Sequence, residues 1–149
     1  MDIYTYLKKD HKKVSSLFEE TVNTAKSEAR LQLFSEIKKE LTLHADSEQA
    51  TFYKALNKTQ ESKDEAKHAK DEHKDIKNKL EEISAIASVN DTWLIKFGEL
   101  KLIVEHHVEE EETEIFKIAK KMISKTTEIS LVEEMELEKQ KILAKMEKE

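Results

Sequence analysis

His106-His107-Val108-Glu109-Glu110-Glu111-Glu112 is the stretch that decides the fold. The residues before it, Trp93, Phe97, Leu100 and Val104, recur at helical spacing and define one apolar face. Continued at the same spacing, that face reaches His107 and then Glu111. A histidine and a glutamate four apart lie one turn apart on the same side of a helix. Both side chains are thus aimed where an apolar core is expected. An unpartnered imidazole and carboxylate are costly there, and a metal ion removes the cost. The rest of the chain can be read for further ligands at the same depth.

The composition favours helices. The 149 residues include one Gly, no Pro and no Cys, so few residues break a helix. The length suits one domain with a true core. Charged residues make up 39%, mostly Lys and Glu, which fits solvated helix faces around that core. A net charge of −6 with no basic patch argues against a nucleic-acid partner. Lack of cysteine excludes disulfides, zinc fingers and cysteine catalysis. No apolar run has membrane-spanning length, and the N-terminus is too charged for a signal peptide, so a cytoplasmic protein with no membrane partner is expected.

Five helical segments are predicted. The first covers 2–25, with Leu7, His11, Val14, Phe18 and Val22 inward. The second covers 29–56 with Phe34, Ile37, Leu41, His44, Glu48 and Phe52 inward. The third covers 63–87, opened by a capping box of Ser62 and Glu65, with Ala69, His73, Ile76, Leu80 and Ile83 inward. The fourth covers 92–123 and carries the opening motif. The fifth, 128–145, has a thinner stripe of Ile129, Val132, Met135 and Ile142. Four long helices with short connections give an all-α, up-down-up-down four-helix bundle. The expected division is a metal-binding bundle over 1–124 and a C-terminal helical extension over 125–149. The extra helix could pack across the bundle or pair with a second chain in a homodimer.

Four of the six histidines, His11, His44, His73 and His107, fall on core-facing positions, one per bundle helix. Two have a glutamate one turn on: His44 with Glu48, and His107 with Glu111. In an antiparallel bundle these six can meet in one layer. Four nitrogens and two carboxylates are too many for one tetrahedral zinc. They suit two ions bridged by the carboxylates, with iron the best match and manganese or zinc lesser options. His68 and His106 lie off the stripes and read as surface residues, with His106 able to act behind a ligand. Tyr53, one turn past Glu48, could bond a ligand or close the pocket. The rival ferritin-like pattern, Glu-x-x-His on two helices, occurs once, at Glu65 and His68, and off the core face.

At these residues the chain resembles the hemerythrin-like, or HHE cation-binding, family. The resemblance rests on Asp10-His11, on His44-x-x-x-Glu48 followed by Phe52-Tyr53, on Glu72-His73, and on His107-x-x-x-Glu111 followed by Ile115-Phe116. It covers about 2–123. It implies a four-helix bundle with a non-haem di-iron centre for oxygen or related small ligands. Glu48 and Glu111 match the bridging carboxylates, and the four histidines match terminal ligands. One position departs from the oxygen carriers of that family, which have a second histidine one turn after the one in the third helix. Here that residue is Lys77. Its expected course is a stem along apolar surface with the ammonium in water. The resemblance then implies four histidines and an open or water-filled position on one iron.

Three functions compete. The first is a protein holding two iron ions per chain that binds dioxygen or a related ligand such as peroxide or nitric oxide, or that handles iron. The second is a di-iron redox enzyme, peroxidase-like or nitric oxide-reducing. The third is an interaction bundle with incidental metal. The first is favoured, so an enzyme is the lesser expectation, and no catalytic residue is assigned.

Overall fold

The computed structural model describes residues 1–148. It is all-helical among those residues: α1 (Ile3–Asn23), α2 (Ser27–Glu48), α3 (Gln60–Ser84), α4 (Asp91–Glu110), α5 (Phe116–Met122) and α6 (Lys125–Glu147). The helices start on side-chain caps. Asp2 accepts from Thr5 N–H, Asn90 from Trp93 N–H and Ser124 from Thr127 N–H. The capping box at α3 is Thr59 with Ser62, three residues earlier than expected. Thr59 can adopt the extended backbone a cap needs, whereas Ser62 already sits inside the first turn.

The first four helices form the up-down-up-down bundle. Two apolar clusters fill it, one at each end. Val14, Phe18, Phe34, Trp93, Phe97 and Leu100 belong to the first. Ile3, Leu7, Phe52, Leu56, Ile115 and Phe116 belong to the second. Each such side chain contributes roughly 1.5–3 kcal/mol by leaving water. His11 lies in α1 between Leu7 and Val14, so the polar layer is sandwiched between the two clusters and shielded by both.

Two of the predicted helices are not uniform. The second runs on through a π-turn at Gln49–Tyr53, and the fourth through one at Glu111–Ile115 before α5. In the latter, Phe116 N–H bonds back to the carbonyl of Glu111, five residues away. Such widened turns recur at functional sites. Here each begins at, or just after, a glutamate of the polar layer.

The C-terminal helix packs across the bundle, against α1 and α2. Leu131 and Met135 are its buried residues. Ile129, expected inward, is 60% exposed. Of the predicted stripe, Met135 is buried and Val132 packs against the same cluster, so the correction is confined to Ile129, while Leu131 is buried in addition. A smaller correction falls on α1, where Thr21 is buried and Val22 exposed. Thr21 can be buried there because its hydroxyl donates to the carbonyl of Leu17. No helix among the described residues is long and apolar enough to cross a membrane.

Candidate metal centre

The fold brings all six predicted residues together. His11, His44, His73, His107, Glu48 and Glu111 are buried. His107 is 3% exposed, whereas the side chain of its neighbour His106 is 71% exposed, so the register of α4 separates the adjacent pair.

Their donor atoms form two groups that share both carboxylates: His11, His44, Glu48 and Glu111 in one, and His73, His107, Glu48 and Glu111 in the other. Glu48 turns Oε2 toward His44 Nε2 at 3.4 Å and Oε1 toward His73 Nε2 at 3.2 Å. Glu111 turns Oε1 toward His11 Nε2 at 3.1 Å and Oε2 toward His107 Nε2 at 3.5 Å. Each carboxylate thus faces both groups with a different oxygen.

The outward ring nitrogens are held differently. His11 Nδ1–H donates to Glu112 at 2.6 Å, His44 Nδ1–H to Asp10 at 2.9 Å, and His107 Nδ1–H to Glu72 at 2.7 Å. These are charge-assisted hydrogen bonds at full strength. They fix each ring so that Nε2 points inward, the arrangement by which proteins orient metal-binding histidines. His73 is backed by the Gln49 side-chain amide at 2.8 Å. Turning that amide over places its oxygen on Nδ1–H and frees Nε2 for a cation.

The inward contacts, at 3.1–3.5 Å, are longer than charge-assisted hydrogen bonds. Five inward atoms are buried with no hydrogen-bond partner: His11 Nε2, His44 Nε2, both oxygens of Glu48 and Oε1 of Glu111. Buried polar atoms are nearly always satisfied. Five orphans converging on one space, all of donor type, fit cation binding and fit nothing else in the fold. The residues present therefore suit a metal.

Protonation carries the same signature. Burial opposes charge on His107, but the carboxylates of Glu111 and Glu72 hold it up to about 10. Burial likewise opposes His44, and Glu48 and Asp10 hold it well above its ordinary value. Burial would raise Glu111, yet the facing imidazoles of His107 and His11 keep it well below the carboxylate range. Without a cation, protons supply the positive charge. The Nε2 atoms of His107 and His73 stand 3.0 Å apart.

Several neighbours complete the site. Tyr53 O–H donates to Glu111 Oε2. Burial first, then the charges of Glu111 and Glu48, push this phenol well above its ordinary value, so it stays a donor. Lys139, from α6, lies 2.6 Å from the Asp10 oxygen that receives His44. Lys77 takes the expected outward course, with its ammonium on Asp46 and a side chain 44% exposed. A cavity of about 20 Å³ faces all four imidazoles, walled by Val14, Leu41, Ile76, Val104 and Val108. A wider recess of about 330 Å³ opens beside His11 and Glu112.

Asp10, Gln49, Glu72 and Glu112 lie off the apolar stripes, and the sequence reading gave them no role behind the histidines. The signal available was adjacency, since each directly precedes or follows one of the six in the chain.

The description Hemerythrin HHE cation binding domain matches residues 2–119. A solved structure of a hemerythrin HHE cation-binding domain-containing protein from Mycobacterium kansasii superposes with a TM-score of 0.82, covering 99% of this chain and 93% of that one at 22% identity. A DNA nickase of Nostoc sp. is 29% identical over 124 residues, which are 83% of this chain. The chain spans about a third of that relative's length, 35%.

Proposed function

The chain belongs to the hemerythrin HHE cation-binding domain family, and from that premise we propose that it is a non-haem di-iron protein that binds dioxygen or a chemically related small ligand such as nitric oxide or peroxide. The observation that carries the ligand class is the cavity of about 20 Å³ against the four imidazoles. A space near the minimum for one water, about 10–15 Å³, accepts a diatomic molecule and excludes organic substrates. Apart from the four imidazoles and Asp10 its lining is aliphatic, which favours a weakly polar guest.

The donor set supports iron. Imidazole and carboxylate suit it, and two groups sharing two carboxylates suit two ions. His11, His44, Glu48 and Glu111 would hold one, and His73, His107, Glu48 and Glu111 the other. When bound, iron supplies open coordination positions and electrons for a small ligand. The chain's own residues do the rest. Glu112, Asp10, Gln49 and Glu72 orient the rings. The two apolar clusters exclude bulk water. Tyr53 holds a proton at Glu111 Oε2, within the layer where a bound ligand gains negative charge. The nicking activity of the Nostoc relative is not carried over, because the match covers only 35% of that protein.

The test is anaerobic reconstitution with ferrous iron, followed by metal analysis and optical spectra under argon, oxygen and nitric oxide. Two iron ions per chain and a charge-transfer band that responds to the gas are expected. One ion or fewer per chain would count against two iron sites, and a spectrum indifferent to every ligand would refute the small-ligand role.

A further inference from the structure

Outside the buried layer, two more imidazoles and two carboxylates converge on the outer seam of α3 and α4. His68 and Glu72 are one turn apart on α3, and His106 and Glu110 one turn apart on α4. His68 Nε2 lies 3.3 Å from Glu110 Oε1 and 3.5 Å from Glu72 Oε2. His106 Nε2 lies 3.3 Å from Glu110 Oε2 and 3.8 Å from Glu72 Oε2. Donor atoms of His68, Glu72 and Glu110 all fall within 4.8 Å of one another.

The distances discriminate between two kinds of contact. Charge-assisted hydrogen bonds run about 2.7–2.9 Å, as the Nδ1 contacts of the buried layer do. Ligands of one tetrahedral ion at about 2.0–2.2 Å stand roughly 3.3–3.6 Å apart. The contacts of His68 with Glu72 and Glu110 show the second spacing, whereas His106 stands 3.8 Å from Glu72 and faces the other oxygen of Glu110. The outer cluster also contains an orphan, since Glu110 Oε2 is buried without a hydrogen-bond partner.

A comparison inside the molecule points the same way. Asp10 supports His44 as Glu72 supports His107. Asp10 has a full positive charge beside it, the Lys139 ammonium at 2.6 Å. Among the described residues no lysine or arginine pairs with Glu72 or Glu110, and two imidazoles stand there instead. We propose that His68, Glu72 and Glu110 form a separate outer site for one divalent first-row transition ion, with His106 beside Glu110 Oε2 and zinc the best match to imidazole and carboxylate donors with solvent completing the shell. The ion takes the place that the Lys139 ammonium takes beside Asp10. Because Glu72 also receives His107 Nδ1–H, the outer ion sits one carboxylate away from the buried centre.

The bland alternative is a pair of imidazole–carboxylate contacts at the surface, worth about 0–1 kcal/mol each. Counting separates the two. Iron-loaded parent and His68→Ala/His106→Ala protein are dialysed against micromolar zinc chloride, and iron plus zinc is measured per chain. The parent should hold one ion more than the variant, with the buried content equal in both. Glu110→Gln should weaken the extra ion at least about tenfold while leaving the helical circular dichroism unchanged. Equal totals in parent and double variant overturn the proposal. Loss of two or more ions from the double variant also overturns it, because the two imidazoles would then serve the buried centre. The difference of one is read whatever metal the buried layer holds, so this outcome is independent of the di-iron reading.

Discussion

Removal of the metal should lower the melting temperature, by an amount that grows as pH rises. In the metal-free chain His107 is held up to about 10 and His44 well above its ordinary value. Both keep a proton at neutral pH that the unfolded chain releases above about 6.5. A folded-state pKa raised in this way adds stability in full below about 6.5, and the gain disappears as pH climbs towards about 10. Glu111 is shifted the other way, so its contribution is present above about 4.5 and lost below. The metal-free layer is therefore best satisfied between about pH 4.5 and 6.5. In the metal-bound chain the imidazoles are neutral ligands, and that loss does not occur. The His107 proton alone widens the difference by about 1.4 kcal/mol per pH unit, and His44 acts in the same direction. For a chain of this size 1 kcal/mol moves the midpoint by about 2–4 °C. The gap between metal-bound and metal-free protein should thus widen by at least roughly 3–6 °C per unit between about pH 7 and 9. Circular dichroism melts of both forms at four pH values read it directly. A gap that stays constant or narrows over that span refutes the view that two buried imidazoles must shed protons for a cation to bind.

Three further outcomes are expected. His107→Ala should lose most of the buried metal and His106→Ala should keep it, by elemental analysis; equal loss in both would mean the register of α4 is misread. Tyr53→Phe leaves Glu111 Oε2 without its donor, which should cost about 1–3 kcal/mol in the metal-free protein and clearly less once metal takes that oxygen; denaturant titrations of both forms decide, and equal costs would sink the idea. Lys77→His gives up an exposed ion pair with Asp46, worth about 0–1 kcal/mol, and adds an imidazole one turn from His73; repeated oxygenation cycles followed by absorbance should show less oxidation than in the parent, and an unchanged spectrum would show that position 77 does not reach the metals.

Much of this was legible in the chain because the apolar stripe is so regular. His44, Glu48, His107 and Glu111 continue stripes set by Phe34, Ile37, Leu41, Leu100 and Val104, so their depth follows from spacing alone. What was not legible depends on geometry between helices or on departures from 3.6 residues per turn. The π-turns after Glu48 and Glu110 leave no mark in the pattern, since Phe52, Tyr53, Ile115 and Phe116 read as continuing the face either way. Asp10, Glu72 and Glu112 look like solvated charges until the facing helix supplies their imidazoles. The inward face of α6 was legible only in part. Its stripe is thin, and packing against α1 and α2 buries Leu131 together with Met135 and leaves Ile129 exposed.

The centre is nearly its own twofold image. A shift of 62 residues carries Asp10 and His11 onto Glu72 and His73, and a shift of 63 carries His44, Glu48 and Gln49 onto His107, Glu111 and Glu112. Supporting contacts follow the same operation: Asp10 backs His44 as Glu72 backs His107, and Glu112 backs His11 where Gln49 backs His73. The image breaks at two pairs, Gln49 against Glu112 and Tyr53 against Phe116. Both breaks weaken the same half. A neutral amide stands behind His73 in place of a carboxylate, and a phenol draws on the Glu111 oxygen that faces His107. A carboxylate behind an imidazole makes it the stronger donor. Two side chains thus make an otherwise repeated frame electronically lopsided, and a single cation entering it meets the richer ligand set on the side of His11 and His44.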